Sequence, residues 1–187
     1  EPIVSHRIAS ILRLQKGDLV TLFNRAMHVT ISLTRIDKKS CTGTIYTHAQ
    51  NHILVPPITI LLPLLKKDAL EDALYSCVEL GATNVQLIAT KKTHHISTDT
   101  KQMARLHAII IAAAEQSKQY LFPLIQHPIN LSRALEDLPL STRIFFHPTG
   151  LSFRDVIHQI DRAATGNTHY VIMIGPEGDC TEEERTQ

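Results

Sequence analysis

The chain has 187 residues, of which 43% are hydrophobic and 20% charged. This composition is that of a globular protein and excludes disordered and fibrous classes. The long apolar-rich run Ile58–Leu65 has eight residues, with Thr59 and Pro63 among them, which is too short to span a membrane. The cysteines, Cys41, Cys77 and Cys180, are far apart and odd in number, which predicts a reducing, cytoplasmic compartment rather than a disulfide framework.

Charge is distributed unevenly, although the formal net charge is only +1. Residues 1–50 contain seven Lys or Arg against three Asp or Glu, a net charge of +4. Residues 151–187 contain three against seven, a net charge of −4. The basic N-terminal part permits a polyanionic partner such as a nucleic acid but does not require one.

The first 55 residues have the pattern of a small β structure. Near period-2 alternation with β-branched residues predicts strands at 18–23, 27–33 and 42–47. About four short antiparallel strands of this kind predict a small barrel. Pro56 and Pro57 mark a boundary, because proline neither donates to a β-ladder nor continues a helix. The sequence therefore predicts one domain over residues 1–55 and a second over residues 56–187.

In the second domain strands and helices alternate, which predicts an α/β fold with a parallel sheet. The predicted strands are 58–62, 84–89, 142–146 and 170–174, and the predicted helices are 68–80, 100–119 and 152–164. Gly81 has the position that ends the first helix, and Ser152 fits the N-cap of the last. The long helix has an apolar face, predicted to be buried, that consists of Met103, Leu106, Ile110 and Ala113.

Two of the predicted strand ends are rich in glycine and proline, at His147–Gly150 and Ile174–Gly178. Ligands of open α/β sheets bind outside the carboxyl ends of the strands, so these loops predict a shared pocket. Glycine permits the sharp turns that bring backbone N–H groups close to a ligand. Thr181 and Glu184, which follow, have the spacing of a capping box. Taken singly, each loop also fits an ordinary strand–turn–helix connection.

Motifs of several other chemistries are absent from the sequence. The seven glycines form neither GxGxxG nor GxxxxGK, which excludes the usual dinucleotide and P-loop fingerprints. The 11 histidines include no HExxH and no Cys/His pairing, so no metal site is predicted. Without a GxSxG elbow, acyl-transfer chemistry lacks a nucleophile.

Four blocks resemble a known family when they are taken together. They are ILRLQKGD at 11–18 followed by LFN at 22–24, ELG at 79–81, AAEQS at 113–117 and IGPEG at 174–178. In order and at fitting distances, they resemble the ribosomal RNA small subunit methyltransferase E family, a SPOUT-class family that methylates uridine N3 in 16S rRNA. The blocks span nearly the whole chain, and their combination is more specific than any one of them.

The resemblance implies an N-terminal PUA-like β-barrel that binds RNA, followed by a SPOUT-type α/β domain with a C-terminal trefoil knot. It also implies a homodimer and S-adenosyl-L-methionine as the cofactor, bound by the knot loops. The cofactor-binding residues are then predicted to be His147, Pro148, Thr149, Gly150, Ile174, Gly175, Pro176, Glu177 and Gly178. No metal and no membrane partner are expected.

The function implied is methyl transfer to N3 of a uridine in 16S rRNA within the small ribosomal subunit. The base must leave its pairing and lose the N3 proton. The predicted RNA-binding residues are Arg7, Arg13, Arg25 and Arg35 of the barrel, which would meet phosphates, together with Lys92 and Gln116. Taken singly, each of the four arginines also fits a solvated charge on the barrel surface. Glu79 and Glu115 are the candidates for a general base, although each also fits a surface or capping role.

The chain departs from the family pattern at several polar positions. Ser76, Ala112 and Gln119 stand where the family has Lys, Glu and Arg, and Asp179 replaces a glycine of GPEGGF. An RNA-binding protein of the same fold without methyl transfer is therefore an alternative function, and a small-molecule nucleotide-binding enzyme is another. The family's last block is absent and the chain lacks an initiator Met, so we expect a longer native chain whose C-terminal segment completes the knot and the pocket.

Overall fold

A computed structural model describes the chain at residues 2–93, 99–152, 154–157, 160 and 169–186. The chain divides into two compact units, Glu1–His52 and Ile53–Gln187. No helix within the described ranges combines the length and the apolar character that crossing a membrane requires.

The first unit contains a helical segment and a three-stranded antiparallel sheet. Helix α1 (Pro2–His6) continues into a π-helical turn (Arg7–Ile11), and the strands are β1 (Leu19–Phe23), β2 (Met27–Ile36) and β3 (Cys41–Gln50). The strands pair in the order β1-β2-β3, which confirms the three predicted strands. Closure into a PUA-like barrel stays a prediction.

The expectation of β structure throughout the first 55 residues is wrong for residues 2–11, which are helical. The apolar side chains Val4, Ile8 and Ile11 recur at intervals of three and four residues, which is the helical period. Ile8 is only 3% exposed, so its burial stabilises the helical segment within this unit.

The second unit is built on a five-stranded sheet in which all four strand pairs are parallel. Its strands are β4 (Ile58–Pro63), β5 (Asn84–Ala89), β6 (Leu124–Asn130), β7 (Ser141–Phe146) and β8 (His169–Ile174). Its helices are α2 (Lys67–Glu79), α3 (Thr100–Ser117), α4 (Leu131–Asp137) and α5 (Glu182–Arg185), and residues 154–157 are also helical. The predicted α/β class with a parallel sheet is confirmed.

The strand order is β6-β5-β4-β8-β7. From β4 the chain proceeds through β5 to β6 at one edge of the sheet, and then crosses to β7 at the opposite edge. Strand β8 returns to the centre beside β4, where Ile60 pairs with Ile172 and Leu61 with Met173. The order therefore reverses between β4 and β8, and such a switch point is where open α/β sheets bind ligands.

Apolar side chains from helices and strands form the core of this unit. Helix α3 buries all four residues of its predicted apolar face, and α4 packs Leu131 and Ala134 against Leu61 and Met173 of the sheet. Leu74 of α2 and Leu106 of α3 are fully buried at 0% exposure. Full burial of such a side chain contributes about 1.5–3 kcal/mol of stability.

Strand β6 and helix α4 are not predicted by the sequence pattern, and the predicted α3 extends two residues beyond Ser117. Strand β6 lies at the edge of the sheet and contains Pro128, which an edge strand tolerates but which obscures the strand pattern. Helix α3 ends at Lys118, whose φ of +60° is left-handed. Of the predicted helix 152–164, residues 154–157 and 160 are helical. Ser152 lies before them, and its Oγ accepts the Asp155 N–H at 3.3 Å, as an N-cap does. The other residues of this predicted helix lie outside the described residues.

Candidate functional site

Three loops follow the carboxyl ends of strands in the parallel sheet. They are residues 90–93 after β5, 147–150 after β7 and 175–181 after β8, and we call them the carboxyl-edge loops. Because all the strands run in the same direction, their carboxyl ends lie at one edge of the sheet. The loop after β8 lies at the switch point itself, and two of the three loops are those predicted to form the pocket.

The loop after β7 is a tight turn around His147. The Gly150 N–H donates to the His147 carbonyl oxygen at 2.9 Å, and a Cβ on Gly150 would lie 3.1 Å from that oxygen. The imidazole stacks on Phe145 with ring centroids 5.9 Å apart. Its Nδ1 is 2.8 Å from the Thr149 hydroxyl, so the stacking and this contact together hold the ring in a fixed orientation.

The loop after β8 turns back on itself at Asp179. The Asp179 N–H donates to the Pro176 carbonyl oxygen at 2.8 Å, and Asp179 has a left-handed φ of +59°. A Cβ on Gly175 would lie 3.4 Å from Asp179 Oδ1, so glycine allows this carboxylate to approach the loop backbone. The next residue, Cys180, is 1% exposed and anchors the loop in the core, and burial raises the pKa of its thiol.

Side chains connect these two loops. His147 Nε2 is 3.3 Å from Asp179 Oδ2, and the guanidinium of Arg185 on α5 is 3.6 Å from the same oxygen. The pKa of Asp179 lies below its ordinary value, chiefly because the Cys180 N–H donates to its carboxylate and also because His147 and Arg185 face it. From the sequence, Asp179 is only a departure from the family pattern, and Arg185 is not predicted as a site residue.

The loop after β5 lies at the same carboxyl end of the sheet and contacts α5 and the loop after β8. The Lys91 N–H donates to Glu184 Oε1 at 2.8 Å, and the Lys91 ammonium pairs with Glu183. A Cβ on Gly178 would lie 3.4 Å from the Cβ of Lys92. Lys92, a predicted RNA-binding residue, therefore lies beside a predicted cofactor-binding loop, with its side chain exposed.

Two cavities of about 430 Å³ each flank the switch point. One lies beside β7 and is lined by His147 and Gly150, and the other, which is almost entirely apolar, lies between the sheet and α2 and is lined by Ile174 and Gly175. Their volumes fall within the range of small-molecule sites. Among the described residues, each cavity is lined by only one of the two predicted loops.

The other predicted cofactor-binding residues differ in exposure: Pro148, Thr149, Glu177 and Gly178 are exposed, whereas Pro176 is buried. Within the described parts of the chain, no three His, Cys, Asp or Glu side chains form a group that could hold a metal ion. The cofactor-binding role of the two loops stays a prediction at this point.

Glu79, Glu115 and Gln116 do not lie at the carboxyl edge. They lie near the C-terminal ends of α2 and α3. These helices return the chain to the opposite end of the sheet, where the parallel strands begin. Just beyond α2, the Thr83 N–H donates to the carbonyl oxygen of Ile58, the first residue of β4, at 2.8 Å. The structure thus brings neither candidate base to the carboxyl-edge loops of its own chain.

The predicted RNA-binding arginines belong to the first unit, where Arg7, Arg13 and Arg35 are exposed and Arg25 is half-buried.

Residues 54–187 match the family described as RNA methyltransferase domain. The chain belongs to this family. The match spans the five-stranded sheet and all three carboxyl-edge loops, so the edge described above is part of an RNA methyltransferase domain.

Relatives of this RNA methyltransferase domain protein match almost all of the chain. The ribosomal RNA small subunit methyltransferase E of Synechocystis sp. is 25% identical over 180 residues, which is 96% of this chain and 59% of that protein. The protein of the same name from Rickettsia conorii is 23% identical over 96% of this chain and 71% of its own. The chain thus spans 59% of the length of the first relative and 71% of that of the second.

The fold is that of solved methyltransferases. A crystal structure of a ribosomal RNA small subunit methyltransferase E from Neisseria gonorrhoeae, bound to S-adenosyl methionine, is similar with a TM-score of 0.83 and 25% identity. The similarity covers 100% of this chain and 76% of that one. It includes the first unit, which lies outside the family match.

Proposed function

We propose that the chain is an S-adenosyl-L-methionine-dependent methyltransferase that acts on N3 of a uridine in 16S rRNA, with the cofactor bound at the carboxyl-edge loops. One observation carries the proposal: the glycine- and proline-rich loop after β8 lies at the switch point of the sheet and is connected through Asp179 and His147 to the loop after the adjacent strand β7. The RNA methyltransferase family and the names of the two relatives support the reaction class.

The residues at this edge fit such a cofactor. Gly150, Gly175 and Gly178 leave backbone groups accessible for hydrogen bonds with adenine and ribose. The apolar cavity at Ile174 and Gly175 suits an aromatic base. The acidic residues between 177 and 184 favour a positively charged sulfonium near the same loops. When bound, the cofactor supplies the methyl group that is transferred.

The chain itself has two tasks in this reaction, to orient the cofactor and to hold the RNA. The carboxyl-edge loops perform the first through backbone groups whose turns are fixed by internal hydrogen bonds. Exposed cations such as Lys92 and Arg13 perform the second by contacting phosphates while the target base is exposed. Glu79 and Glu115 stay predictions for the general base.

We also propose the finer architecture that the resemblance implies. Residues 1–55 would form a PUA-like barrel that binds RNA, and residues 56–187 the SPOUT domain with its trefoil knot, in a cytoplasmic homodimer that acts on the small subunit. The alternative of an RNA-binding protein without methyl transfer is not favoured, because the matched family and the named relatives are methyltransferases.

Substitution of the loop glycines tests the cofactor site. We expect Gly175→Val or Gly178→Val to abolish binding of S-adenosyl-L-methionine in calorimetry, because the added side chain fills space where Asp179 or Lys92 already lies 3.4 Å from the new Cβ. Ala104→Val, at an exposed position on α3, is the matched control and should bind as the parent does. Tight binding by either loop variant would show that the pocket is elsewhere.

A methylation assay tests the reaction. Small ribosomal subunits that lack the uridine modification, incubated with the protein and labelled cofactor, should gain a methyl group that maps to uridine N3 in 16S rRNA. Binding of cofactor and RNA without methyl transfer would instead identify an RNA-binding protein.

A further inference from the structure

Asp179 occupies a backbone position typical of glycine. Its φ of +59° is left-handed, a conformation that Asp and Asn tolerate better than other side chains do. The family pattern has a glycine here, so this chain keeps the glycine-like turn and adds a carboxylate to it. That carboxylate lies 3.4 Å from where a Cβ of Gly175 would be, inside the loop proposed to bind the cofactor.

The carboxylate contacts three separate segments. Its Oδ1 accepts the Cys180 N–H at 2.7 Å, and its Oδ2 lies 3.3 Å from His147 Nε2 in the loop after β7. Arg185 of α5 provides the third contact, at 3.6 Å from Oδ2. We call His147, Thr149, Asp179 and Arg185 the Asp179 cluster.

Two contacts favour the tautomer of His147 that carries its proton on Nε2. The Thr149 N–H donates to Nδ1 at 3.3 Å, which makes Nδ1 an acceptor, and an Nε2–H faces Oδ2 of Asp179 at 3.3 Å, where a carboxylate can only accept. Arg185 opposes them, because its Nη1 is a donor 3.3 Å from Nε2 and Nε2 can accept it only in the other tautomer. The carboxylate of Asp179, which Arg185 also faces at 3.6 Å, is therefore the contact that favours a proton on Nε2.

Helix α5 is fixed independently of the cluster. Thr181 and Glu184 form a capping box, and Glu184 also accepts the Lys91 N–H at 2.8 Å. Arg185 therefore extends from a short helix that is bonded to the loop after β5. Through Arg185 and His147, the single carboxylate of Asp179 connects all three carboxyl-edge loops.

We propose that Asp179 is a positioning residue, which holds the loops after β7 and β8 at the separation that binds the cofactor and sets the orientation of His147. The identity of the ligand rests on the proposed function. Asp179 acts through His147 and Arg185 and needs no contact with the ligand itself. Where the family has a glycine, this chain therefore has a side chain that bonds the loop after β8 to the loop after β7.

Two substitutions separate the roles of the side chain. Asp179→Gly restores the family's residue and keeps the left-handed turn, but it removes the contacts of the carboxylate with His147, Arg185 and the Cys180 N–H. We expect it to weaken S-adenosyl-L-methionine binding about tenfold in calorimetry. Asp179→Asn tolerates the same backbone and keeps an acceptor oxygen, so its loss should be smaller. Glu136→Gln removes one exposed negative charge on α4, outside the carboxyl-edge loops and α5, and should bind as the parent does.

The tautomer of His147 gives a readout that needs no cofactor. In ¹⁵N NMR of the full chain, we expect the Nε2–H form in the parent and a redistribution towards Nδ1–H in Asp179→Gly.

A double-mutant cycle tests the bond between Asp179 and His147. The losses of cofactor affinity in Asp179→Gly, His147→Gln and the double variant should be non-additive, because both single changes break the same bond. Parent-like binding by Asp179→Gly, additive losses or an unchanged tautomer would overturn the proposal. Failure of the parent to bind the cofactor would count against the proposed function instead, and the tautomer measurement would still test the cluster.

Discussion

Gly81 ends α2 with a φ of +83°, and a Cβ there would lie 2.7 Å from Cδ1 of Leu54. We expect Gly81→Ala to lower the free energy of unfolding by about 1–2 kcal/mol, because an L side chain is disfavoured in the left-handed region. Leu54 is 47% exposed and the contact is with the far end of its side chain, which can rotate away. Urea denaturation measures the loss, and the same substitution in a Leu54→Ala background should cost about as much. A much smaller loss in that background would show that the clash, not the backbone, dominates.

Individual residues differ in how far sequence can predict their role. Gly81 and the Thr181–Glu184 capping box were predicted, because a helix end is determined by neighbours within a few positions. The partner of His147 was not, because Asp179 is 32 residues away and reaches it only through the placement of β7 beside β8. The loops of the site could thus be predicted, but not the bond between them.

At the scale of elements, α5 and the loop after β5 depend on the ionised carboxylate of Glu184. Partial burial raises the pKa of Glu184, but hydrogen bonds from Thr181 and from the Lys91 N–H outweigh it, so the pKa lies below the ordinary 4.5. A group whose pKa is lowered by folding stabilises the folded chain above its unfolded pKa and loses that contribution as pH falls through the folded value.

The thermal stabilities of the parent and Glu184→Gln should therefore differ at neutral pH and converge in acid. Melting temperatures measured between about pH 7 and pH 3 test this expectation. Glu182→Gln, on the exposed side of the same helix, is the control and should show no such convergence. A difference between the parent and Glu184→Gln that stays constant over the whole range would contradict the role assigned to the carboxylate.

The predictability of an element follows its periodicity and its place in the sheet. Helix α3 and the central strands β4, β5 and β8 were predicted because long apolar faces or runs of buried residues leave a clear pattern. Strand β6 lies at the sheet edge, has one buried residue and contains Pro128, so the pattern is weak there. Helix α4 has only seven residues, too few to establish a helical period.

At the scale of the whole molecule, charge separates the two ends of the chain. Residues 1–50 have a net charge of +4, with seven Lys or Arg against three Asp or Glu, and residues 151–187 have −4, with three against seven. The asymmetry was visible in the sequence. The sequence does not show which of these cations are exposed, because exposure depends on the folding of this unit, including the pairing of β1, β2 and β3. If the first unit binds RNA, its exposed cations should contact phosphates and make the affinity depend on salt.

Arg13 offers a clear test of RNA binding by the first unit, because it is exposed and its left-handed φ of +51° is one that Asn also tolerates. Arg13→Asn should therefore remove a charge without straining the turn. For the full chain bound to a single-stranded 16S rRNA fragment, we expect weaker binding and a plot of log affinity against log salt that is shallower by about 0.7, the contribution of one phosphate contact. Arg133→Gln is the control, since Arg133 is already paired with Asp137 at 2.8 Å on α4. An unchanged slope for Arg13→Asn, or an equal change for both variants, would mean that the first unit does not use this arginine to hold RNA.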